Sequence, residues 1–226
     1  MTTIDDLFKK KKSDTLVIFG SGPSIKNLSK DDLKILQQYD TLSFNMFAKT
    51  GISTDMYIIG EKIHHFNIST QRDDILKSKE DPNNYLELFT NESYKDTFFI
   101  FWNHNTVLTH KKLIDNKIPQ KKLFLKTLCL GCDTNYQDKS TYTPNFFKKN
   151  KVLLHQNVGL NSCIFLGVSM GYKNIIFSGV DLNDYTYAFD RTYFREKLIK
   201  EDEKTLHRSH RHAFSFINYL KDTINF

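Results

Sequence analysis

The residues best suited to hold a phosphate form a short segment near the start of the chain, here called the glycine turn: Gly20, Ser21, Gly22, Pro23 and Ser24. It follows directly on the apolar residues 16–19, which predict a fully buried β-strand. Glycines at the end of a strand expose backbone N–H groups, and a helix just beyond adds its positive end. The segment therefore predicts a phosphate site in a nucleotide-binding α/β domain. An ordinary tight turn before a helix is the alternative, because glycine is common in such turns.

The spacing of these glycines argues against two common nucleotide-binding motifs. The dinucleotide fingerprint needs a third glycine, and Ile25 stands at that position. The glycine-lysine end of a phosphate-binding P-loop does not follow either. The pattern thus disfavours nicotinamide or flavin enzymes and P-loop enzymes, and it leaves other nucleotides open.

Further apolar segments predict a sheet that could position this turn. The predicted strands are Thr41–Phe44, Asp55–Ile59, Thr97–Trp102, Leu123–Leu128 and Ile175–Asp181. Helices are predicted over 29–39, 157–171 and 202–222, and Gly171 is expected to cap the second. Strands that alternate with helices indicate a mostly parallel sheet covered on both faces. The fold class is therefore α/β, a single Rossmann-like domain over residues 1–226.

Several polar or small residues follow the predicted strands and can share one cleft with the glycine turn. Asn45, Gly60 and Asp181 stand at such strand ends. Because ligands of parallel sheets bind outside the carboxyl ends of the strands, we expect these residues to converge. The range 63–155 is polar, aromatic and poor in clear periodicity, so it is predicted to be an irregular insert or lid over the cleft.

Composition restricts the partners and the compartment. The 226 residues carry a net charge of +6, mostly from scattered lysine pairs. A nucleic-acid reader would cluster arginine with aromatic residues, so we expect an anionic small substrate or an anionic membrane surface instead. The polar residues 1–14 lack the apolar core of a signal peptide, which predicts a cytoplasmic protein. Cys129, Cys132 and Cys163 lack the further ligands that zinc needs, and we expect buried or incidental thiols.

A second group of motifs lies in the last third of the chain. A predicted helix ends in residues 171–173, Gly-Tyr-Lys, and the next strand ends in residues 178–181, Ser-Gly-Val-Asp. Residues 187–190, Tyr-Ala-Phe-Asp, come next, and a histidine-rich stretch leads into the last helix. In this order, with the glycine turn and the Asn45 strand end, the motifs resemble the bacterial lipooligosaccharide sialyltransferases. Those enzymes use CMP-sialic acid, invert the sugar and need no metal; the resemblance covers about half of the chain, at its two ends.

The resemblance implies which residues contact the donor. The glycine turn would hold the nucleotide phosphate and ribose, and Asn45 would contact the donor. Gly60 and Glu61 stand where the family has an asparagine, which leaves the donor sugar open. The other residues predicted to bind substrate are Gly159, Ser178, Gly179 and Asp181.

The resemblance also implies the catalytic groups. Tyr187 matches one of two tyrosines that steady the departing phosphate, and Tyr185 is the substitute for the other; their hydroxyls stabilise negative charge without a metal. His207 is the predicted general base, with His210 as the rival, since a histidine with a pKa near 7 suits that role. Taken singly, the tyrosines could be one face of a strand, Asp181 a helix N-cap, and the histidines a solvated helix start.

The expected function is transfer of sialic acid, or a related nonulosonic or ulosonic sugar, from a CMP donor to a surface glycan such as lipooligosaccharide or capsule. The enzyme would act at the cytoplasmic face of the membrane, without cofactor, and a homo-oligomer stays open. A pterin pyrophosphokinase-like enzyme is the first alternative, with ATP and magnesium held by Asp181, Asp184 and Asp190. The second is a non-catalytic nucleotide-sugar-binding module of a polysaccharide-assembly machine.

Overall fold

A computed structural model describes residues 2–59, 86–102, 111–129, 143–155, 159–181, 213, 215–222 and 224–226. All structural statements below concern these residues. Within them, no helix has the length and apolar character needed to cross a membrane.

Seven strands form one sheet in which every pairing is parallel. Their spatial order is β6-β5-β4-β3-β2-β1-β7. The prediction of a mostly parallel α/β sheet is therefore confirmed. The strands are β1 (Thr15–Phe19), β2 (Asp40–Phe44), β3 (Met56–Ile59), β4 (Phe98–Trp102), β5 (Lys122–Cys129), β6 (Val152–His155) and β7 (Asn174–Ser178).

The helices between the strands are mostly short. They are α1 (Ile4–Phe8), α2 (Lys30–Leu36), α3 (Lys111–Lys117), α4 (Pro144–Asn150) and α5 (Gly159–Ser169). Ser29 caps α2 as predicted, because its side chain accepts the Asp32 N–H while the Asp32 carboxylate accepts the Ser29 N–H. Residues 215–220, part of the predicted last helix, are also helical.

Alternate residues of the strands pack into two hydrophobic cores, one on each face of the sheet. Leu16 and Ile18 of β1 pack into the core that contains α5, whereas Val17 and Phe19 pack into the opposite core. This alternation follows from the period of two in a strand, and it explains why β1 reads as a continuous apolar segment. The prediction that both faces are covered is confirmed.

Helix α5 is buried along its whole length, all eleven residues of it. Residues 163–168 of the helix are apolar or small, as burial on every side favours, and the polar Asn161, Ser162 and Ser169 are buried with them. Gly171 ends the helical region at φ +77°, and its N–H donates to the Val168 carbonyl at 2.9 Å. The predicted glycine cap is thus confirmed. Burial raises the pKa of the Cys163 thiol on this helix, as expected for an inert buried cysteine.

The range predicted to be an irregular insert or lid contributes three strands to the sheet, β4, β5 and β6. The sequence predicted the first two. It did not predict β6, because four residues preceded by lysines give too short a pattern. Residues 60–85, 103–110 and 130–142 lie outside the described residues, so the lid itself stays a prediction.

The start of the strands, here called the amino edge of the sheet, is held together by two carboxylates. Buried Asp40 accepts the N–H groups of Lys12 and Ser13 at 2.8 and 3.0 Å. Asp55 accepts the Thr41 N–H at 3.0 Å and the Lys12 ammonium at 2.9 Å. Burial raises the pKa of Asp55, but the Lys12 ion pair and the Thr41 hydrogen bonds outweigh it and bring the pKa below its ordinary value.

Candidate functional site

The glycine turn and the segment after β7 are joined directly at the carboxyl ends of their strands. The Gly20 N–H donates to the Ser178 carbonyl, and the Gly22 N–H donates to the Gly179 carbonyl, each at 2.8 Å. These bonds continue the parallel pairing of β1 with β7 beyond the strands. The chain runs from β1 outward through β2 to β6 and then returns to the other side of β1. The two segments therefore meet where the strand order reverses, which is the usual ligand crevice of such sheets.

Side-chain contact adds to this junction. The Asp181 Oδ2 accepts the Ser24 N–H at 2.8 Å. Ser24 belongs to a 3-10 turn that begins at Pro23, and Gly22 precedes it as the N-cap residue without a capping side chain. Asp181 thus supplies from a distant strand the carboxylate that an N-cap residue usually supplies.

The close approach of the two segments requires glycine. A Cβ on Gly22 would lie 2.2 Å from Asp181 Oδ2. A Cβ on Gly179 would lie 2.5 Å from the Gly20 carbonyl oxygen, and the backbone of Gly179 has φ +67°. Sterics therefore give these glycines a structural role that does not depend on any ligand.

These bonds also determine which groups of the glycine turn are left for a phosphate. The N–H groups of Gly20, Gly22 and Ser24 donate within the protein, and Pro23 has none. The Ser21 N–H and the hydroxyls of Ser21 and Ser24 have no hydrogen-bond partner among the described residues. A phosphate at this turn would thus meet one amide and two hydroxyls rather than a full ring of N–H groups.

Asn45 follows β2, the neighbour of β1, and lies at the same edge of the sheet. Its backbone has φ +52°, a left-handed conformation that asparagine tolerates better than most residues. The Tyr57 hydroxyl donates to the Asn45 carbonyl at 2.7 Å and accepts the Ala48 N–H at 2.9 Å. The buried hydroxyl of Tyr57 thus fixes the loop after β2 from the core side.

Gly159 places the start of α5 against Asn45. A Cβ on Gly159 would lie 2.9 Å from Phe44 Cδ2 and 3.0 Å from Asn45 Nδ2. The first residues of an α-helix present N–H groups without partners in the helix itself. The structure therefore brings together two of the predicted substrate-binding residues, the Asn45 amide and the helix start at Gly159.

The remaining predicted residues are not placed. Gly60, Glu61, Tyr185, Tyr187, His207 and His210 lie outside the described residues. The catalytic assignment thus stays a prediction. The described residues contain no group of three histidine, cysteine or acidic side chains that could hold a metal ion.

Sequence reasoning missed Tyr57, which it counted only as part of an apolar strand. One signal could have found it: a tyrosine within an otherwise apolar buried strand needs a partner for its hydroxyl. The nearest turn that could supply one is the loop that begins at Asn45.

No protein-family model matches the chain, and no curated protein is significantly similar to it. The solved structures that are similar to this chain include two sialyltransferases. The monofunctional alpha-2,3-sialyltransferase Cst-I from Campylobacter jejuni shares 18% identity at a TM-score of 0.45, over 94% of this chain and 74% of that one. The sialyltransferase Cst-II in complex with CMP shares 17% identity at a TM-score of 0.45, over 92% of this chain and 77% of that one.

Proposed function

We propose that this protein is a glycosyltransferase that moves sialic acid, or a related nonulosonic or ulosonic sugar, from a CMP donor to a surface glycan. One observation carries the proposal: the two most telling motifs, the glycine turn and residues 178–181, are bonded to each other where the strand order reverses. In the sequence they are more than 150 residues apart. Their order matched the sialyltransferase pattern, and their contact supports a single nucleotide site.

The donor would lie along the carboxyl edge of the sheet. The amide of Ser21 and the hydroxyls of Ser21 and Ser24 are suited to the phosphate and ribose oxygens, because each has hydrogen-bonding capacity to spare. Asn45, directly after the next strand, offers a side-chain amide beside Gly159 at the start of α5. Asp181 would shape this site by holding Ser24 in place.

The reaction itself is a single in-line displacement. The acceptor hydroxyl attacks the anomeric carbon of the sugar, the bond from that carbon to the phosphate oxygen breaks, and CMP leaves with the electron pair. His207 takes the acceptor proton, and the hydroxyls of Tyr187 and Tyr185 stabilise the charge that develops on the phosphate. His210 is the rival base. Attack opposite the leaving group inverts the anomeric centre.

The acceptor is a glycan of the cell surface, lipooligosaccharide or capsule, and the enzyme acts from the cytoplasm with peripheral contact to the membrane. The net charge of +6 supports contact with anionic lipid. Co-sedimentation with vesicles that contain anionic lipid, against neutral vesicles, tests this part of the proposal. Sedimentation that is equal with both vesicles, or absent, would contradict it.

The decisive experiment is a thermal-shift comparison of CMP with ATP, UDP, GDP and NAD, each with EDTA and with magnesium. We expect CMP to raise the melting temperature in both conditions. Stabilisation by ATP with magnesium alone would overturn the proposal in favour of a pyrophosphokinase-like enzyme. Binding of CMP without turnover of any CMP-sugar would indicate a non-catalytic module.

Two histidine variants test the catalytic step. His207→Ala should abolish transfer and leave the affinity for CMP unchanged, because it removes the base and not the nucleotide site. His210→Ala is the matched control, three residues away in the same stretch. If His210→Ala is inactive while His207→Ala is active, the base is His210.

A further inference from the structure

Tyr57 lies on the core side of the loop that carries Asn45, and its hydroxyl bonds two residues of that loop. It stands on β3, with no exposed surface. Its hydroxyl donates to the Asn45 carbonyl and accepts the Ala48 N–H. One phenol oxygen therefore closes the loop from its first residue to its fourth.

The ring of Tyr57 cannot move to follow the loop. It packs edge-on against Phe89, with ring centroids 4.8 Å apart, and at 6.4 Å against Tyr94. The ring of Phe99 lies 6.2 Å away. Buried aromatic side chains packed on several sides keep a single rotamer, so the position of the hydroxyl is fixed by the core.

The conformation that Tyr57 stabilises is one that the chain would not adopt freely. Asn45 has φ +52°, a left-handed conformation that is less favourable for an L-residue than a right-handed one. In this conformation the Asn45 amide nitrogen lies where a Cβ on Gly159 would approach it to 3.0 Å. Release of the carbonyl would let the backbone relax and move the amide away from the start of α5.

We propose that Tyr57 is a positioning residue: its hydroxyl fixes the Asn45 backbone so that the Asn45 amide is set in place for the nucleotide donor. The inference rests on the proposed function for its ligand, a CMP donor, and on the hydrogen bonds above for its mechanism. Tyr57 itself is buried and does not touch the donor.

The chain offers a matched control in Tyr94. Its hydroxyl donates to the carbonyl of Ile52 at 3.1 Å, in the same loop and from the same aromatic cluster. Burial raises the pKa of Tyr94 to about 12, so this hydroxyl stays protonated and donates at any working pH. Tyr94→Phe thus removes the same chemical group from the same core without touching the Asn45 turn.

The test compares the affinity for CMP in wild type, Tyr57→Phe and Tyr94→Phe by calorimetry. We expect Tyr57→Phe to weaken CMP binding about tenfold, as the loss of one well-placed hydrogen bond and of orientation would. We expect Tyr94→Phe to stay within about twofold of wild type while it loses comparable thermal stability. Equal affinities in the two variants would overturn the inference, since a purely structural role affects both alike.

A double-mutant cycle shows whether Tyr57 acts through Asn45. Asn45→Gly keeps the left-handed backbone accessible and removes the amide. In that background Tyr57→Phe should change the CMP affinity no further. A full additional tenfold loss there would mean that Tyr57 acts by another route, and the inference would be wrong.

A spectroscopic measurement separates this inference from the proposed function. The Asn45 side-chain amide signal, identified in a ¹⁵N–¹H spectrum by its loss in Asn45→Gly, should shift in Tyr57→Phe and not in Tyr94→Phe. This readout needs no ligand. If wild type binds no CMP, the proposed function fails, whereas an unchanged Asn45 signal in Tyr57→Phe overturns the positioning role alone.

Discussion

The two edges of the sheet are held together by different kinds of contact. At the amino edge, the carboxylates of Asp40 and Asp55 hold several N–H groups, and Asp40 is buried. At the carboxyl edge, the glycine turn meets residues 178–181 mainly through backbone bonds, with the half-buried Asp181 as the one carboxylate among the described residues of that junction. The first arrangement joins its segments with carboxylate side chains, and the second joins them with backbone bonds between segments that approach closely at glycines. From this difference and the proposed function, we expect the amino edge to contribute mainly to stability and the carboxyl edge also to hold the ligand.

We expect the largest loss of stability from a substitution that adds one methyl group at the carboxyl edge. Gly179→Ala places a Cβ 2.5 Å from the Gly20 carbonyl oxygen at φ +67°. Strain and overpacking together should lower the free energy of unfolding by about 2–5 kcal/mol. Chemical denaturation measures it.

Gly51→Ala is the control, because Gly51 has φ +77° with nothing within 4 Å of an added Cβ. It should cost only the backbone strain, about 1–2 kcal/mol. Equal losses in the two variants would show that the close approach of the two segments is unimportant.

The second prediction contrasts the two carboxylates that accept backbone N–H groups. Asp40→Ala leaves two donors of residues 12 and 13 without their partner and should lower the free energy of unfolding by about 2–4 kcal/mol. Asp181→Ala releases only the Ser24 N–H, so about 1 kcal/mol is expected. The CMP affinity should show the reverse order, with a loss of about tenfold in Asp181→Ala and little change in Asp40→Ala. A larger loss of affinity in Asp40→Ala would contradict the division between the edges.

The third prediction concerns pH and the amino edge. The pKa of Asp55 lies below its ordinary value of 3.8, so its contribution is complete above that pH and is lost as the pH falls through the lower, folded pKa. Asp55→Asn should therefore melt below wild type at pH 6, and the gap should narrow below about pH 4. Melting temperatures from pH 2 to 6 give the test. A gap that stays constant would mean that the Asp55 charge does not matter.

The smallest expected change in stability comes from removing the hydroxyl of one of two buried tyrosines, Tyr172 and Tyr57. Burial and the nearby Asp40 carboxylate raise the pKa of Tyr172, near the start of β7, but its hydroxyl makes no hydrogen bond of ordinary geometry within the described residues, whereas that of Tyr57 makes two. Tyr172→Phe should change the free energy of unfolding by less than about 0.5 kcal/mol, and Tyr57→Phe should cost about 1–2 kcal/mol. Denaturant midpoints of the two variants measure both changes in stability. Similar losses would mean that the Asp40 carboxylate accepts a hydrogen bond from the Tyr172 hydroxyl.

Much of the sheet could be predicted from sequence, because the strands β1 to β4 are buried on both faces. A continuous apolar segment such as β1 or β3 has one interpretation when a turn signal follows it. The strand β6 escaped prediction because four residues beside lysines carry too little pattern. Residues 63–155 looked irregular for the same reason, since short strands there are separated by long polar segments.

The candidate site could be predicted as a set of strand ends, but not as a set of contacts. The sequence predicted that Asn45, Asp181 and the glycine turn share an edge, and they do. It could not predict that the N–H groups of Gly20 and Gly22 are already used by the segment after β7. That pairing depends on which strand lies beside β1, and local patterns carry no information on strand order.

The position of β7 beside β1 has a consequence for synthesis of the protein. Thr15 pairs with Asn174, so β1, the last strand but one at this end of the sheet, lacks one neighbour until most of the chain has left the ribosome. Until then β1 is an open edge of apolar sequence, the kind of surface that associates with other chains and that chaperones bind. Pairing of β7 with β1 is slow, because the long chain between them loses conformational entropy before the contacts between the two strands form. The nucleotide site we propose is thus the last part of the sheet to form, and a nascent chain would acquire its ligand only when β7 has docked.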